Sequence, residues 1–305
     1  MKKITAAALA GMMVLNLAGC SGSAAKTETT KAAEATEAAG SEAADSASAA
    51  SEETAGAEAS GRLKAIKDAG VLKVATSPDY APYEFEDITK SGQDKYVGAD
   101  MELAKYIADK LGVKLEIEAM AFDACLAAVG EGRVDMTICG MVPKEERKAT
   151  MDFTDVYYND GNQVVLVLKE NEEKYKTLAD FAGQSVAAQN GTLQFDLVTE
   201  QIQDAKCEVV SAVTDGIMML KTGKVAGIAL ASVAADNCLA NYPELVQCEQ
   251  MFDYTSLGVV AGVVKNEPEF LAELNKIVKE VSDSQIYYQW IEEASTLANQ
   301  ISSGN

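Results

Sequence analysis

From Arg62 onward, short apolar runs alternate with segments of helical period, and that alternation admits few folds. Val71–Thr76 is an apolar run bounded by Gly70 and Pro78, and is predicted to be a strand. Asp100 is placed to cap a helix whose apolar positions are Leu103, Ala104, Ile107, Ala108 and Leu111, closed by Gly112. Val113, Leu115 and Ile117 then alternate with Lys114, Glu116 and Glu118, the period of a half-buried strand. A short helix over 123–131 and a strand over 134–139 follow. Further strands are predicted near 162–169, 185–188, 207–210, 224–230 and 258–264, with helices near 192–203, 215–222, 232–240, 268–282 and 285–299. Strands joined by helices give an α/β fold with mainly parallel sheets, because a helical crossover returns the next strand parallel to the last.

Two segments of different character come first. Lys2 and Lys3 precede an apolar stretch from Ile4 to Ala18. As a helix it would be about 22 Å long, short of a hydrocarbon core of about 30 Å, so residues 1–20 read as an export signal rather than a span. It ends in Leu17-Ala18-Gly19-Cys20, which resembles the lipobox of bacterial lipoproteins. That resemblance implies lipidation of Cys20 and attachment to a membrane, since two acyl chains anchor a protein stably. Residues 21–60 hold fifteen alanines, seven glutamates, seven serines and five threonines, and no Val, Ile, Leu, Met or aromatic residue. Such a segment cannot bury enough apolar surface to offset its chain entropy, and is expected to be a disordered tether.

Composition removes whole classes of chemistry. The chain contains no histidine, so neither a Ser-His-Asp or Cys-His pair nor an imidazole metal site can be built. The net charge of −21 divides into +2 for residues 1–20, −6 for 21–60 and −17 for the remainder, which argues against a nucleic-acid partner. After residue 60 there are five cysteines, Cys125, Cys139, Cys207, Cys238 and Cys248, with no C-x-x-C spacing. An odd number excludes a complete disulfide framework, and Cys125 and Cys139 are expected to be small buried apolar residues. G-x-S-x-G, P-loop and G-x-G-x-x-G motifs are all missing, so no cofactor, no metal and no catalytic residue is assigned.

Four stretches carry a resemblance. They are Leu72-Lys73-Val74-Ala75-Thr76-Ser77-Pro78-Asp79-Tyr80-Ala81-Pro82-Tyr83-Glu84-Phe85; Tyr96-Val97-Gly98-Ala99-Asp100-Met101-Glu102-Leu103-Ala104; Gly132-Arg133-Val134-Asp135-Met136, running on through Glu146-Arg147-Lys148 to Asp152-Phe153-Thr154-Asp155-Val156-Tyr157-Tyr158; and Asn190-Gly191-Thr192. In this order, over about residues 62–300, they resemble the extracellular solute-binding proteins of bacterial polar amino-acid importers. The resemblance implies the type II periplasmic-binding-protein-like fold: two lobes joined by two crossover strands near 158–161 and 256–259, with ligand held in the cleft. Lobe one would comprise 62–159 plus 260–300, and lobe two 160–258.

The same resemblance assigns ligand-binding residues. Arg147 would hold the ligand carboxylate through its two-pronged guanidinium; otherwise it is a surface arginine among Lys144, Glu145, Glu146 and Lys148. Gly191 and Thr192 open a helix whose free N–H groups suit an anion, although Thr192 would also serve as an ordinary N-cap. Leu193 and Gln194 follow beside the ligand. Tyr80 and Phe122 would wall the ligand side chain, where the alternative for Phe122 is plain core packing. Cys139, Gly140 and Met141 match a ligand-facing segment that lacks its usual hydroxyls, so backbone groups would act there. Many relatives place an aspartate where this chain has Ala231, and often an acid where it has Ser77. Either another acid then receives a buried ammonium or the ligand lacks a conventional α-ammonium, and a strongly basic ligand is less favoured than the aromatic walls suggest.

The expected function is therefore a substrate-binding lipoprotein of an ABC importer. It would bind a small carboxylate-bearing polar metabolite, an amino acid, as a monomer on the outer face of the cell membrane or in a periplasm, and deliver it to a permease. Two other readings stand: a cyclohexadienyl dehydratase-like enzyme on the same scaffold, and an extracellular sensor. The stretch after residue 300 carries no span, which disfavours a covalently linked sensor.

Overall fold

The computed structural model describes residues 61–159 and 161–304; the export signal, Cys20 and the tether lie outside them. Two five-stranded sheets organise these residues. The first runs in the order Lys114–Ala119, Val71–Thr76, Met136–Thr137, Gly262–Val264, Met151–Phe153. The second runs Lys206–Val210, Ser185–Gln189, Gly227–Ala231, Gln163–Leu168, Leu245–Gln247.

Each sheet is mixed rather than mainly parallel. Its first three strands pair parallel and its last two pair antiparallel. The physical reason lies in the connections. Gln163–Leu168 and Gly262–Val264 are the strands by which the chain enters one sheet from the other, without a helical crossover to set them parallel. Between the sheets, Tyr158 and Val259 form an antiparallel bridge, with the Val259 N–H donating to the Tyr158 carbonyl at 2.8 Å.

Long elements follow their sequence period. Pro268–Ser284 buries Phe270, Leu274, Ile277, Val278 and Val281, one stripe of an amphipathic helix, each contributing about 1.5–3 kcal/mol. Thr192 caps the helix Leu193–Gln201 by accepting from the Phe195 N–H. Shorter elements depart from expectation. The strand predicted over 134–139 contracts to Met136–Thr137, because the Asp135 carboxylate takes the Lys73 N–H at 2.7 Å and the Arg62 Nε at 2.6 Å where the ladder would begin. The strand predicted over 258–264 contracts to Gly262–Val264.

Asp100 does not cap its helix. Gly98 is the N-cap of Ala99–Leu111, and the Asp100 side chain turns inward, fully buried. Its Oδ1 accepts from the Tyr287 and Tyr157 hydroxyls at 2.6 and 2.8 Å, and its Oδ2 from the Gly140 N–H at 2.6 Å. Three donors in the core hold it there, and the first helix N–H groups, of Ala99 and Asp100, donate instead to the Pro82 and Tyr83 carbonyls at 3.0 and 2.9 Å.

A small antiparallel sheet of Asp79–Tyr80, Glu84–Glu86 and Tyr96–Val97 was not predicted, since strands of two or three residues carry no readable period. Gly98 makes it possible. A Cβ there would lie 2.2 Å from the Tyr83 carbonyl oxygen, and its φ of 124° suits glycine alone. This close passage turns Glu84 toward the space between the two large sheets.

Candidate functional site

The space between the sheets is lined from both sides at strand ends, where open α/β sheets present ligands to their loops. Tyr80, Glu84, Phe122, Cys139, Gly140, Met141 and Arg147 face Gln189, Thr192, Leu193, Gln194 and Ala231. Its free volume is about 30 Å³, room for a few waters and too little for an amino acid. A ligand enters only if the two walls separate. Every ligand-binding residue assigned from the sequence lines this cavity except Gly191, whose carbonyl bounds it through Arg147.

Arg147 sits on the 3-10 turn Glu145–Ala149 and is 6% exposed, which excludes the surface reading. One guanidinium nitrogen donates to the Val142 carbonyl at 2.8 Å, and the other crosses the cavity to the Gly191 carbonyl at 2.7 Å. The guanidinium lies 5.4 Å from the Phe122 ring centroid, so Phe122, the first residue of its helix, both packs in the core and faces the charge. Neutral carbonyls are weaker acceptors than a carboxylate, so this fork is positioned to exchange one of them for an anionic ligand group.

Tyr80 stacks on Tyr83 with ring centroids 5.5 Å apart, and its hydroxyl accepts from the Ala231 N–H at 3.1 Å. Gly140 allows this approach: its φ is 59°, and a Cβ there would lie 3.1 Å from the Tyr80 ring. Thr192 spends its hydroxyl on the Gln189 carbonyl and the Phe195 N–H, so its side chain serves the helix end rather than an anion. Gln194 donates to the Gln163 Oε1 at 2.6 Å. Cys139 is buried, and a contact with the Cys125 thiol, together with burial, pushes its own thiol well up, away from nucleophilic thiolate character.

The two walls are also tied together directly. Asp79 accepts from the Val213 N–H at 2.7 Å, at the start of the helix Val213–Lys221, and is held by the Ser77 hydroxyl at 2.7 Å. Asn190 donates to Asp123 at 2.7 Å, and Lys144 pairs with Asp196.

Glu84 escaped the sequence reading. It is 1% exposed, its Oε2 has no hydrogen-bond partner, and it lines the same cavity as Arg147. Burial, then the Asp100 and Cys139 charges, hold its carboxyl well above the usual carboxylate range. The signal in the sequence is an acid between two aromatics, Tyr83 and Phe85, both of which the structure buries. The Ala231 position offers only its backbone N–H, and Ser77 is engaged by Asp79. Among the described residues, no cluster of three or more Cys, Asp or Glu could hold a metal ion.

A family model for bacterial extracellular solute-binding proteins, family 3, matches residues 72–293. The arginine-binding extracellular protein ArtP of Bacillus subtilis (strain 168) is 27% identical over 235 residues, covering 76% of this chain and 89% of its own. A probable histidine-binding protein of Campylobacter jejuni is 30% identical over 237 residues, covering 77% of this chain and 86% of its own. Among solved structures, the amino acid ABC transporter substrate-binding protein AbpA from Streptococcus pneumoniae, bound to L-arginine, superposes with a TM-score of 0.73 at 30% identity. That match covers 77% of this chain and 98% of the other. All three are binding proteins rather than enzymes.

Proposed function

The chain belongs to the bacterial extracellular solute-binding proteins, family 3, and on that footing we propose that its cleft takes a basic amino acid, carboxylate on Arg147 and cationic group toward Glu84. The fold is the α/β type II periplasmic-binding-protein fold, and the chain acts as a substrate-binding protein of an ABC importer on the outer side of the membrane. One observation carries the ligand reading: a buried carboxyl with an unpartnered oxygen shares a cavity with a buried guanidinium. A carboxyl and a guanidinium lining one small cavity fit a molecule that bears both a cation and a carboxylate. Glu84 supplies the acid that Ser77 and Ala231 lack, so a basic ligand is no longer disfavoured. The arginine named for two of the relatives supports the same choice.

The remaining parts of the reading follow from it. Tyr80 and Phe122 wall the ligand side chain; Cys139, Gly140 and Met141 meet it from one lobe, Gly191, Thr192, Leu193 and Gln194 from the other. Lobe one is 62–159 plus 260–300 and lobe two is 160–258, closing about the crossings near 158–161 and 256–259. Ligand stabilises closure by its differential affinity for the closed state, and a membrane permease receives that state. The protein works as a monomer held to the membrane through lipid on Cys20, with residues 21–60 as tether.

Calorimetry against the twenty amino acids and their common derivatives tests the reading. Binding of arginine, lysine or ornithine that is lost in Arg147→Ala is the expected result. No binding anywhere in that panel, or equal binding after the substitution, overturns it.

A further inference from the structure

Two buried carboxyl groups meet beside the cavity, Glu84 in its lining and Asp100 next to Glu84 in the core, and they are not equivalent. Asp100 is fully buried and accepts three hydrogen bonds, from the Tyr287 and Tyr157 hydroxyls and the Gly140 N–H. Burial raises the Asp100 carboxyl as well, but its donors pull it back down, so of the pair Asp100 is the one that ionises first. Glu84 stands beside it, 1% exposed, with Oε2 unpartnered. A second negative charge in that position would meet no donor and would stand against the charge of Asp100, so Glu84 carries a proton.

The groups facing Glu84 come from several elements. Asp100 lies in the helix Ala99–Leu111, Cys139 follows the strand Met136–Thr137, Asp79 lies in the small sheet, and the Tyr157 phenol stands on the approach to the crossing. Each of these is acidic or neutral. All of them precede the first crossing in the chain, on the same side of the cavity as Glu84, so their effect on it does not depend on closure. The cation of the cavity, Arg147, is engaged by the Val142 and Gly191 carbonyls.

We infer that ligand binding here expels one proton, held by Glu84 in the empty protein and surrendered to buffer when a cationic ligand group takes its place. The inference rests on the reading of a basic ligand. The step balances: Glu84–COOH and a ligand cation become a Glu84 carboxylate–cation pair and one released proton. Because the empty state binds the proton and the complex does not, affinity rises with pH. The rise is tenfold per unit while Glu84 is protonated in the empty protein and ionised in the complex, and it flattens once both are ionised.

The experiment is calorimetric titration of the full chain with L-arginine at fixed pH, in buffers of widely different ionisation enthalpy. The dependence of the observed heat on the buffer counts protons, and a release near one per ligand is expected, together with tightening of affinity from pH 5.5 to 7. Glu84→Gln, which keeps shape and neutrality in the empty protein, is expected to abolish the release. Arginine binding with buffer-independent heat in the wild type overturns the proton exchange and leaves the basic-ligand reading standing. Failure of arginine, lysine and ornithine to bind overturns both. The wild-type measurement decides the matter without the variant, should Glu84→Gln fold poorly.

Discussion

The Arg147 guanidinium donates to the Gly191 carbonyl at 2.7 Å, joining the loop after one sheet to the turn that opens a helix behind the other. This bond occupies the group expected to hold the ligand. A carboxylate competes well for it, since a hydrogen bond to a charged partner contributes about 1.5–3 kcal/mol against about 1 for a neutral pair. Arg147→Ala is therefore expected to weaken ligand binding by about 100-fold or more, read by calorimetry. Arg147→Lys keeps the charge and loses the fork, and is expected to fall between the two. If Arg147→Lys bound as well as wild type, charge alone would suffice and the two-pronged geometry would be irrelevant.

Glu84 makes a prediction about stability that needs no ligand. A carboxyl whose folded pKa lies above its unfolded value binds more protons in the folded state, so its contribution to stability falls as pH rises through that window. It costs nothing below about pH 4, the range of an unfolded glutamate. Glu84→Gln removes the term, so the variant should match wild type near pH 4 and exceed it at pH 8, by about 1.4 kcal/mol for each unit of elevation. Parallel urea melts at the two pH values check this. A variant less stable than wild type at pH 8 would mean that the ionised carboxylate is stabilised by something other than the groups named above.

These two residues show what sequence reading reaches. Arg147 was found through a motif, because its neighbours in the chain are also its neighbours in the pattern. Glu84 lies inside a motif yet gives no signal of its own, because a lone acid in a turn-rich segment has the pattern of a solvent-facing residue; the passage of Gly98 against Tyr83 is what turns it inward. Long helices such as Pro268–Ser284 declare themselves by five buried positions on one stripe. The small sheet of Asp79–Tyr80, Glu84–Glu86 and Tyr96–Val97 has too few residues for any period to emerge. The mixed character of the large sheets depends on how the chain passes from one to the other, which no local pattern records.

Asp79 ties the two walls together beside the cavity. Its carboxylate accepts the Val213 N–H at 2.7 Å, a contact between segments that must part for a ligand to enter. Asp79→Ala removes an acceptor at a helix N-terminus, worth about 1.5–3 kcal/mol in the closed state and nothing in the open one. The expected outcome is an affinity loss of about tenfold or more with a larger radius of gyration in solution scattering before ligand is added. Unchanged scattering and affinity together would show that Asp79 has no part in closure.

Asp100 distinguishes a local rule from a tertiary one. At the start of a helix, asparagine caps as well as aspartate, so a capping role would make Asp100→Asn almost neutral. In the structure both carboxylate oxygens act as acceptors within the core, for Tyr287, Tyr157 and the Gly140 N–H. Asparagine replaces one of those oxygens by an NH₂ group that meets a donor, leaving at least one buried hydrogen bond unmade and a second distorted, at about 1–3 kcal/mol for each group left unsatisfied. Asp100→Asn is expected to lower stability by about 2–4 kcal/mol, and Tm by about 4–16 °C for a chain of this size, in a calorimetric melt. Tyr287→Phe removes only one of the three donors and should cost about 1 kcal/mol. An Asp100→Asn melt within a degree of wild type would restore the capping role and remove the reason for placing the cavity's proton on Glu84.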